Sequence, residues 1–205
     1  TDLSSKYHDL LIPSPNNRSK SGLMQEKYTI NPSADSIKQL KAFEFIGRLF
    51  AYCIISDNSA IIDLPQFIWK QILNRPLSLE DLREIDVQIV DSILGKLNDV
   101  YKGNKSIEDK QIQELLSVLN FTCTYSNGKT IQLKPNGSRI NVTSENYKEY
   151  FDLYVESRFN ECHKQIKAIR TGLYSILPEE MFLLIDHIDL ETFISGTSKI
   201  DVEFF

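Results

Sequence analysis

Apolar side chains recur three and four residues apart along much of the chain, a spacing that predicts helices. The first long run follows Ser36, which forms a capping-box pattern with Gln39. Phe45 and Tyr52 add apolar residues on its other faces, so we expect this helix to be buried on most sides. Gly47 lies inside the run. Because glycine lowers helix propensity, we expect close packing against another helix at that point.

Shorter helical segments follow this first helix. Pro65 is expected in the first turn of one, and Ser78, with Asp81 as its capping partner, begins another. A long helical region is predicted from Ser144 to about Leu177, ending before a proline. Two short helices are expected after it, at 179–185 and 189–195.

The helix predicted from about Asp86 to Asp99 carries two apolar ridges. The first ridge suits a core and consists of Val87, Val90, Leu94 and Leu97. A second ridge, Ile89 and Ile93, lies roughly a fifth to a quarter of a turn away, with Ser92 and Lys96 beside it. This second ridge either widens the buried face or forms a groove for a protein partner, because exposed apolar patches often mark interaction sites.

Alternating apolar and polar residues predict a β-hairpin after a polar linker. The alternation begins at Leu119 and continues to Tyr125. Asn127-Gly128 is a strong hairpin turn signal, and Leu133 lies on the return strand. Since one hairpin is too small to be stable alone, we expect it to pack on helices.

Turn-forming residues mark two further segments. Asn136-Gly137 tolerates positive φ and supplies a reversal, and Thr143 or Ser144 can cap the helix that comes after it. Residues 12–22 are dense in turn formers, so we expect an exposed loop there. Together these patterns predict a mainly helical α+β fold with a small subdomain that contains a β-hairpin.

Composition narrows the function classes. A chain of 205 residues suits one domain, or one large and one small subdomain. The net charge of −5 argues against a nucleic-acid partner, and no apolar run is long enough to span a membrane. The chain begins without Met and without a signal-peptide pattern. We therefore expect a piece of a longer chain.

The cysteines carry little sign of chemistry. Cys53, Cys123 and Cys162 are an odd number without CxxC spacing, which argues against disulfides and a zinc site and favours an intracellular, cytoplasmic or nuclear, location. Cys162 and His163 are neighbours on a predicted helix and point about 100° apart, so they do not form a nucleophile pair. We expect no catalytic residue, metal site or cofactor site. A cysteine enzyme is the least favoured alternative.

Six blocks of sequence, taken in order, resemble the HECT-type ubiquitin ligases. They are Phe43–Arg48, Trp69–Leu73, Leu77–Leu82, Leu133–Gly137, Val142–Tyr150, and Ile194–Gly196 with Ile200-Asp201 after it. Ile12–Asn17 and Ile30–Pro32 fit the same family. Each block alone is weak, but their shared order covers nearly the whole chain.

The resemblance implies an architecture and an activity. HECT modules have a helical N-lobe, a smaller subdomain that docks the ubiquitin-conjugating enzyme, and a C-lobe whose cysteine carries ubiquitin as a thioester to a substrate lysine. By this resemblance, residues 1–205 are a partial N-lobe with the docking subdomain at about 78–142, and the C-lobe lies outside the chain. The fragment alone is expected to be inactive. The implied partners are a ubiquitin-conjugating enzyme, ubiquitin and a protein substrate.

The resemblance also assigns the docking residues. Carried over one by one, they are Ile89, Ser92, Ile93 and Lys96 on the helix, Leu119 on the strand, and Tyr150. The helix positions coincide with the second apolar ridge. Lys96 replaces an apolar residue that is common in the family, and Ala42 stands where some members use an aromatic residue to bind a second ubiquitin. The alternative function is a helical interaction scaffold that keeps the fold but has lost docking.

Overall fold

The computed structural model describes residues 10–22, 24–56, 58–60 and 62–196; the Ile200-Asp201 block lies outside them. The helices are α1 (Pro15–Ser19), α2 (Ile37–Ser56), α3 (Gln66–Ile72), α4 (Leu79–Arg83), α5 (Val87–Ile89), α6 (Gly95–Tyr101), α7 (Lys110–Val118), α8 (Tyr147–Phe159), α9 (His163–Tyr174) and α10 (His187–Ser195). A π-helical turn spans Val90–Leu94, and 3₁₀ helices span Gly137–Arg139 and Glu179–Leu183. The strands are β1 (Leu11–Pro13), β2 (Tyr28–Ile30), β3 (Thr122–Thr124) and β4 (Thr130–Gln132), paired as β1–β2 and β3–β4. The predicted mainly helical α+β fold is confirmed.

The chain divides into two compact units. The first comprises the described residues of 1–12, 27–76 and 163–205, and the second those of 13–26 and 77–162. The segment predicted to dock a partner, at about 78–142, falls within the second unit. Its role as a docking subdomain stays a prediction.

Two glycines bring α2 and α9 together in the first unit. A Cβ built on Gly47 would lie 1.9 Å from the carbonyl oxygen of Ile169, and one built on Gly172 would lie 1.9 Å from the carbonyl oxygen of Glu44. The two helix backbones therefore touch at a point where no other residue fits. The close packing predicted for Gly47 is confirmed.

Burial on most sides of α2 is wrong. The capping box at its start is present, because the Ser36 Oγ accepts from the Gln39 N–H at 3.3 Å. Phe45 and Tyr52, however, are each 58% exposed. The buried positions of α2 form a single stripe that includes Gly47, so the helix packs on one side and leaves these two rings outside.

The long helix expected from Ser144 to Leu177 is two helices, α8 and α9. The break begins at Asn160, where the backbone N–H and the side-chain Nδ2 both donate to the Glu156 carbonyl, at 3.0 and 2.9 Å. Asparagine side chains compete in this way for backbone groups and favour helix ends. Gly172 lies inside α9 at its contact with α2.

The helix starts and turns predicted from short-range signals are partly correct. The cap expected from Thr143 or Ser144 is wrong, because α8 begins after Asn146 with no side-chain cap bond. Ser78 and Asp81 form a reciprocal capping box at the start of α4, as predicted. Pro65 precedes α3 and does not occupy its first turn. The hairpin has Cys123 opposite Ile131, and Gly128 adopts φ 81° in its turn.

The exposed loop expected at 12–22 is wrong. Its centre is the short helix α1, and the Ser14 Oγ accepts from the Asn17 N–H at 3.1 Å at the start of that helix. Ser14 and Asn16 are 0% and 1% exposed. Turn-forming residues are usually at the surface, but here the polar atoms find buried hydrogen-bond partners, which removes the cost of leaving water.

Candidate partner-binding site

The predicted helix at 86–99 is one continuous helical run, but its middle is not α-helical. α5 begins after Asp86, whose Oδ1 accepts from the Ile89 N–H at 3.2 Å. The π turn comes next, in which the Gly95 N–H donates to the Val90 carbonyl five residues earlier. Such turns are rare and frequent at functional sites. The spacing of apolar residues at the α-helical period of 3.6 could not predict this π turn.

The two ridges of this helical run have different environments. In the first ridge Val90, Leu94 and Leu97 are 5%, 0% and 0% exposed and belong to the core, whereas Val87 is partly buried. Ile89 and Ile93 are only partly buried, Ser92 is exposed and Lys96 is partly buried. We name the set Ile89, Ser92, Ile93 and Lys96 the docking ridge. The second ridge has therefore not merged into the core, and part of its apolar surface stays open.

Asn16 holds the beginning of this helical run. Its Nδ2 donates to the carbonyls of Arg83 and Glu84 at 3.1 and 3.0 Å, and its Oδ1 accepts from the Val87 N–H at 2.7 Å. The amide thus satisfies backbone groups that helix ends leave unpaired. Sequence reasoning missed this residue, since nothing local links it to partners about seventy positions away.

Leu119 lies before β3, not within it. It directly follows α7 with extended φ −93° and ψ 145°, and its carbonyl accepts from the Val142 N–H at 3.0 Å. Its side chain is partly buried. The alternation predicted for this segment holds, because Phe121 and Cys123 are 0% and 1% exposed.

Tyr150 lies inside the second unit. It is 1% exposed, and its ring contacts Phe121 edge-on at 5.6 Å and Tyr154 at 5.7 Å between centroids. Burial raises the pKa of its hydroxyl well above the usual value. A ring buried in this way is not part of the exposed surface, contrary to the position predicted for Tyr150.

The conspicuous run from Leu133 to Tyr150 closes around Phe121. The Lys134 Nζ lies 3.7 Å from the centre of the Phe121 ring and 2.8 Å from each Glu149 carboxylate oxygen. A Cβ on Gly137 would lie 2.3 Å from the Phe121 carbonyl oxygen. Gly137 is therefore needed because its backbone lies so close to Phe121. The positive φ in this turn, 58°, is that of Asn136.

The docking ridge and the hairpin share α8 as a common support. α6, the last part of the ridge-bearing run, contacts α8, and so does β3. The rings of Tyr101 and Phe151 lie 5.6 Å apart at the first of these contacts. The predicted residues therefore lie on three segments of one unit, built around one helix.

A buried ionic cluster was missed by sequence reasoning. Arg158 on α8 is 0% exposed, and its guanidinium donates to Asp86 at 2.8 Å, Glu161 at 3.1 Å and Ser126 at 3.3 Å. Glu161 in turn accepts from the N–H and the hydroxyl of Ser126. The sequence held no local signal for it, because a charged residue on a helix is usually exposed.

The three cysteine thiols are poorly suited to nucleophilic chemistry. All three are buried, and none forms a disulfide. Burial raises the pKa of Cys53, raises that of Cys123 to about 11, and raises that of Cys162 far above its usual value. Little thiolate exists at neutral pH under such conditions. His163 is exposed beside the buried Cys162, so the two do not form a pair.

Neither a metal site nor a membrane-spanning helix is found in the part of the chain that the structure describes. No three His, Cys, Asp or Glu side chains in the described ranges are grouped so that they could hold a metal ion. No helix in the same ranges is both long enough and apolar enough to cross a bilayer.

Several curated proteins are similar in sequence to this chain. The chain is 28% identical to the E3 ubiquitin-protein ligase HERC2 of Mus musculus over 93% of its length, which is 4% of that protein. It is 31% identical to the E3 ubiquitin-protein ligase pub1 of Schizosaccharomyces pombe over 87% of its length, 23% of that protein. It is 27% identical to the E3 ubiquitin-protein ligase RSP5 of Saccharomyces cerevisiae over 87% of its length, 21% of that protein.

The chain spans less than a quarter of each of these relatives. A family model described as the HECT-domain (ubiquitin-transferase) matches residues 8–205, nearly the entire chain. This match covers the core of both units and every residue of the docking ridge. The chain belongs to the HECT-domain family.

Proposed function

We propose that this chain is part of a HECT-type ubiquitin-protein ligase and that its second unit docks a ubiquitin-conjugating enzyme. Ubiquitin then passes to a cysteine in a C-lobe outside this chain, and from there to a substrate lysine. The observation that carries the proposal is the partly open apolar ridge of Ile89 and Ile93 on a helical run whose other ridge is core at three of its four positions. Family membership supports the ligase activity.

The proposed surface combines the docking ridge with Leu119. The docking ridge offers apolar area with a polar margin, the arrangement of a protein interface core and its rim. Leu119 adds a partly buried apolar side chain from the segment before β3. The Tyr150 ring meets the Phe121 ring edge-on and fixes α8 against the hairpin segment, so Tyr150 acts in this proposal without touching the partner.

The state of the cysteines fits a docking role. A ubiquitin thioester requires an accessible thiolate nucleophile. Cys53, Cys123 and Cys162 are buried with raised pKa values, so none of them is proposed to carry ubiquitin. Three cysteines outside disulfides also support the proposal of an intracellular, cytoplasmic or nuclear, location.

Substitution of Ile93 tests the docking ridge. We expect Ile93→Asp to weaken binding of a ubiquitin-conjugating enzyme by at least roughly 30-fold, because it puts a charge where an apolar anchor is buried. Isothermal titration calorimetry of the chain against a panel of these enzymes provides the measurement. The matched control is Ile188→Asp, the same change at a residue of the first unit that is 51% exposed. A folded Ile93→Asp variant that binds as tightly as the unaltered chain would rule out this surface.

Lys96 is expected to select partners by charge. It is partly buried beside Ile93, and none of the ion pairs among the described residues involves it. We expect Lys96→Glu to weaken the binding of a conjugating enzyme that has an acidic residue at the contact. The expected loss of affinity is roughly 2- to 10-fold at low salt. Kd values at low and high ionic strength measure this, with Lys102→Glu as the exposed control. Identical salt dependence for both variants and the unaltered chain would contradict it.

The second candidate is a scaffold that keeps the fold without docking. An assay of the whole natural protein separates the two candidates. If it contains a cysteine-bearing lobe that accumulates thioester-linked ubiquitin, the ligase proposal stands. If it binds the conjugating enzyme poorly and forms no thioester, a scaffold role accounts for the fold better.

A further inference from the structure

The buried ionic cluster joins segments that are far apart in sequence. Arg158 comes from the last turn of α8, Asp86 from the start of the ridge-bearing run, and Ser126 from the hairpin turn. Arg18 extends the cluster, since its guanidinium donates to the Ser126 carbonyl and to the Pro13 carbonyl. Arg158 therefore meets two carboxylates, Asp86 and Glu161, inside the second unit, and Arg18 reaches the same hairpin turn through the Ser126 carbonyl.

A continuous path of bonds leads from this cluster to the docking ridge. The Arg158 Nη1 donates to Asp86 Oδ2 at 2.8 Å, and the other oxygen of the same carboxylate accepts from the Ile89 N–H at 3.2 Å. One carboxylate thus binds the cluster and the first residue of the ridge together. At the other end, the Arg158 Nη2 reaches the Ser126 Oγ at 3.3 Å in the hairpin turn.

Net stability is a weak reason for such a cluster to exist. Desolvation of buried charges offsets most of their attraction, and apolar replacements are often equally stable. Burial raises the pKa of the Glu161 carboxyl, although the charge of Arg158 lowers it. For this carboxyl, desolvation therefore outweighs the attraction to Arg158. A hydrogen-bonded ionic cluster instead fixes the relative orientation of the groups that it joins.

We propose that Arg158 is a positioning residue that, through Asp86, sets the docking ridge relative to the hairpin turn. This inference rests on the proposed docking function. The guanidinium is planar and donates in fixed directions, so it holds three segments at defined angles. The ridge is then presented to the conjugating enzyme in one orientation.

Asp86→Asn tests the coupling while keeping the cap. Asparagine still accepts from the Ile89 N–H, but it removes the charge that faces Arg158. We expect faster hydrogen exchange at the Ser126 amide, a shifted Ile93 methyl resonance, and roughly 3- to 30-fold weaker binding of the conjugating enzyme. Ser126→Ala should reciprocally change the Ile89 amide. The control Ile112→Val, a buried core change in the same unit, should lower stability without altering these signals.

The outcomes separate this inference from the docking proposal. If Asp86→Asn disturbs only Ile89 and leaves Ser126 unchanged, Asp86 is a local helix cap and the inference is overturned. If the exchange effects appear but affinity is unchanged, the cluster does not position the ridge, and the inference is likewise overturned. If the unaltered chain binds none of the enzymes, or Ile93→Asp binds normally, the docking function fails first.

Discussion

Gly47→Ala is expected to destabilise the first unit by about 3 kcal/mol or more, as overpacking at a rigid contact does. In an ordinary helix the same change is stabilising by roughly 0.5–1 kcal/mol. Here the new methyl would lie 1.9 Å from the carbonyl oxygen of Ile169, and α2 would have to move away from α9. Denaturant-induced unfolding followed by circular dichroism measures the change.

A loss of stability on Gly47→Ala, where the same change in an ordinary helix gives a gain, identifies the backbone contact. Lys41→Ala, an exposed change on the same helix, serves as control and should stay within about 0.5 kcal/mol. Gly172→Ala should match Gly47→Ala, since its Cβ would meet the Glu44 carbonyl oxygen at the same distance of 1.9 Å. A Gly47→Ala variant as stable as the unaltered chain would show that the two backbones do not touch.

Arg158→Met is expected to cost the second unit roughly 3–5 kcal/mol at neutral pH, because it leaves buried carboxylates without their cation. Methionine keeps much of the side-chain length, so lost packing contributes little. Ser126 would still donate to Glu161, but the carboxylate would lose its contact with the guanidinium at 3.1 Å. Urea unfolding, monitored by a probe in the second unit, measures the loss.

The pH dependence of this loss depends on Glu161. Burial raises the pKa of its carboxyl above the ordinary value of 4.5, and Arg158 opposes that rise. Removing Arg158 raises the pKa further. A group whose pKa is higher in the folded state stabilises the fold most at low pH, and the contribution disappears as pH rises through the folded value. The deficit of Arg158→Met should therefore shrink between neutral pH and about pH 5. An equal deficit at both values would mean that Glu161 does not carry the cost.

Local patterns predicted the elements whose causes are local. Capping boxes and strand alternation depend on residues only a few positions apart, so they are visible in the sequence. The examples here are the capping boxes of Ser36 and Ser78 and the hairpin alternation through Cys123. Gly47 predicted a close contact because a glycine inside an apolar helix lowers helix propensity, a cost that tight backbone packing offsets. The two ridges of the 86–99 helix were also separable by spacing alone.

The errors arose where distant partners decide the structure. Asn16 and Arg158 are polar and yet buried, because each finds hydrogen-bond partners about seventy residues away. Phe45 and Tyr52 are apolar and yet exposed, since α2 packs on one side only. Tyr150 was predicted at a surface from resemblance, but its neighbours Phe121 and Tyr154 enclose it.

The docking role of the second unit is tested most directly by isoleucine methyl resonances during titration with a ubiquitin-conjugating enzyme. We expect the Ile89 and Ile93 signals to shift or broaden together at stoichiometric ratio, while Ile112, buried in the same unit, and Ile188, exposed in the first unit, stay unchanged. Shifts confined to Ile188 and its neighbours, with Ile89 and Ile93 unaffected at saturation, would contradict the account.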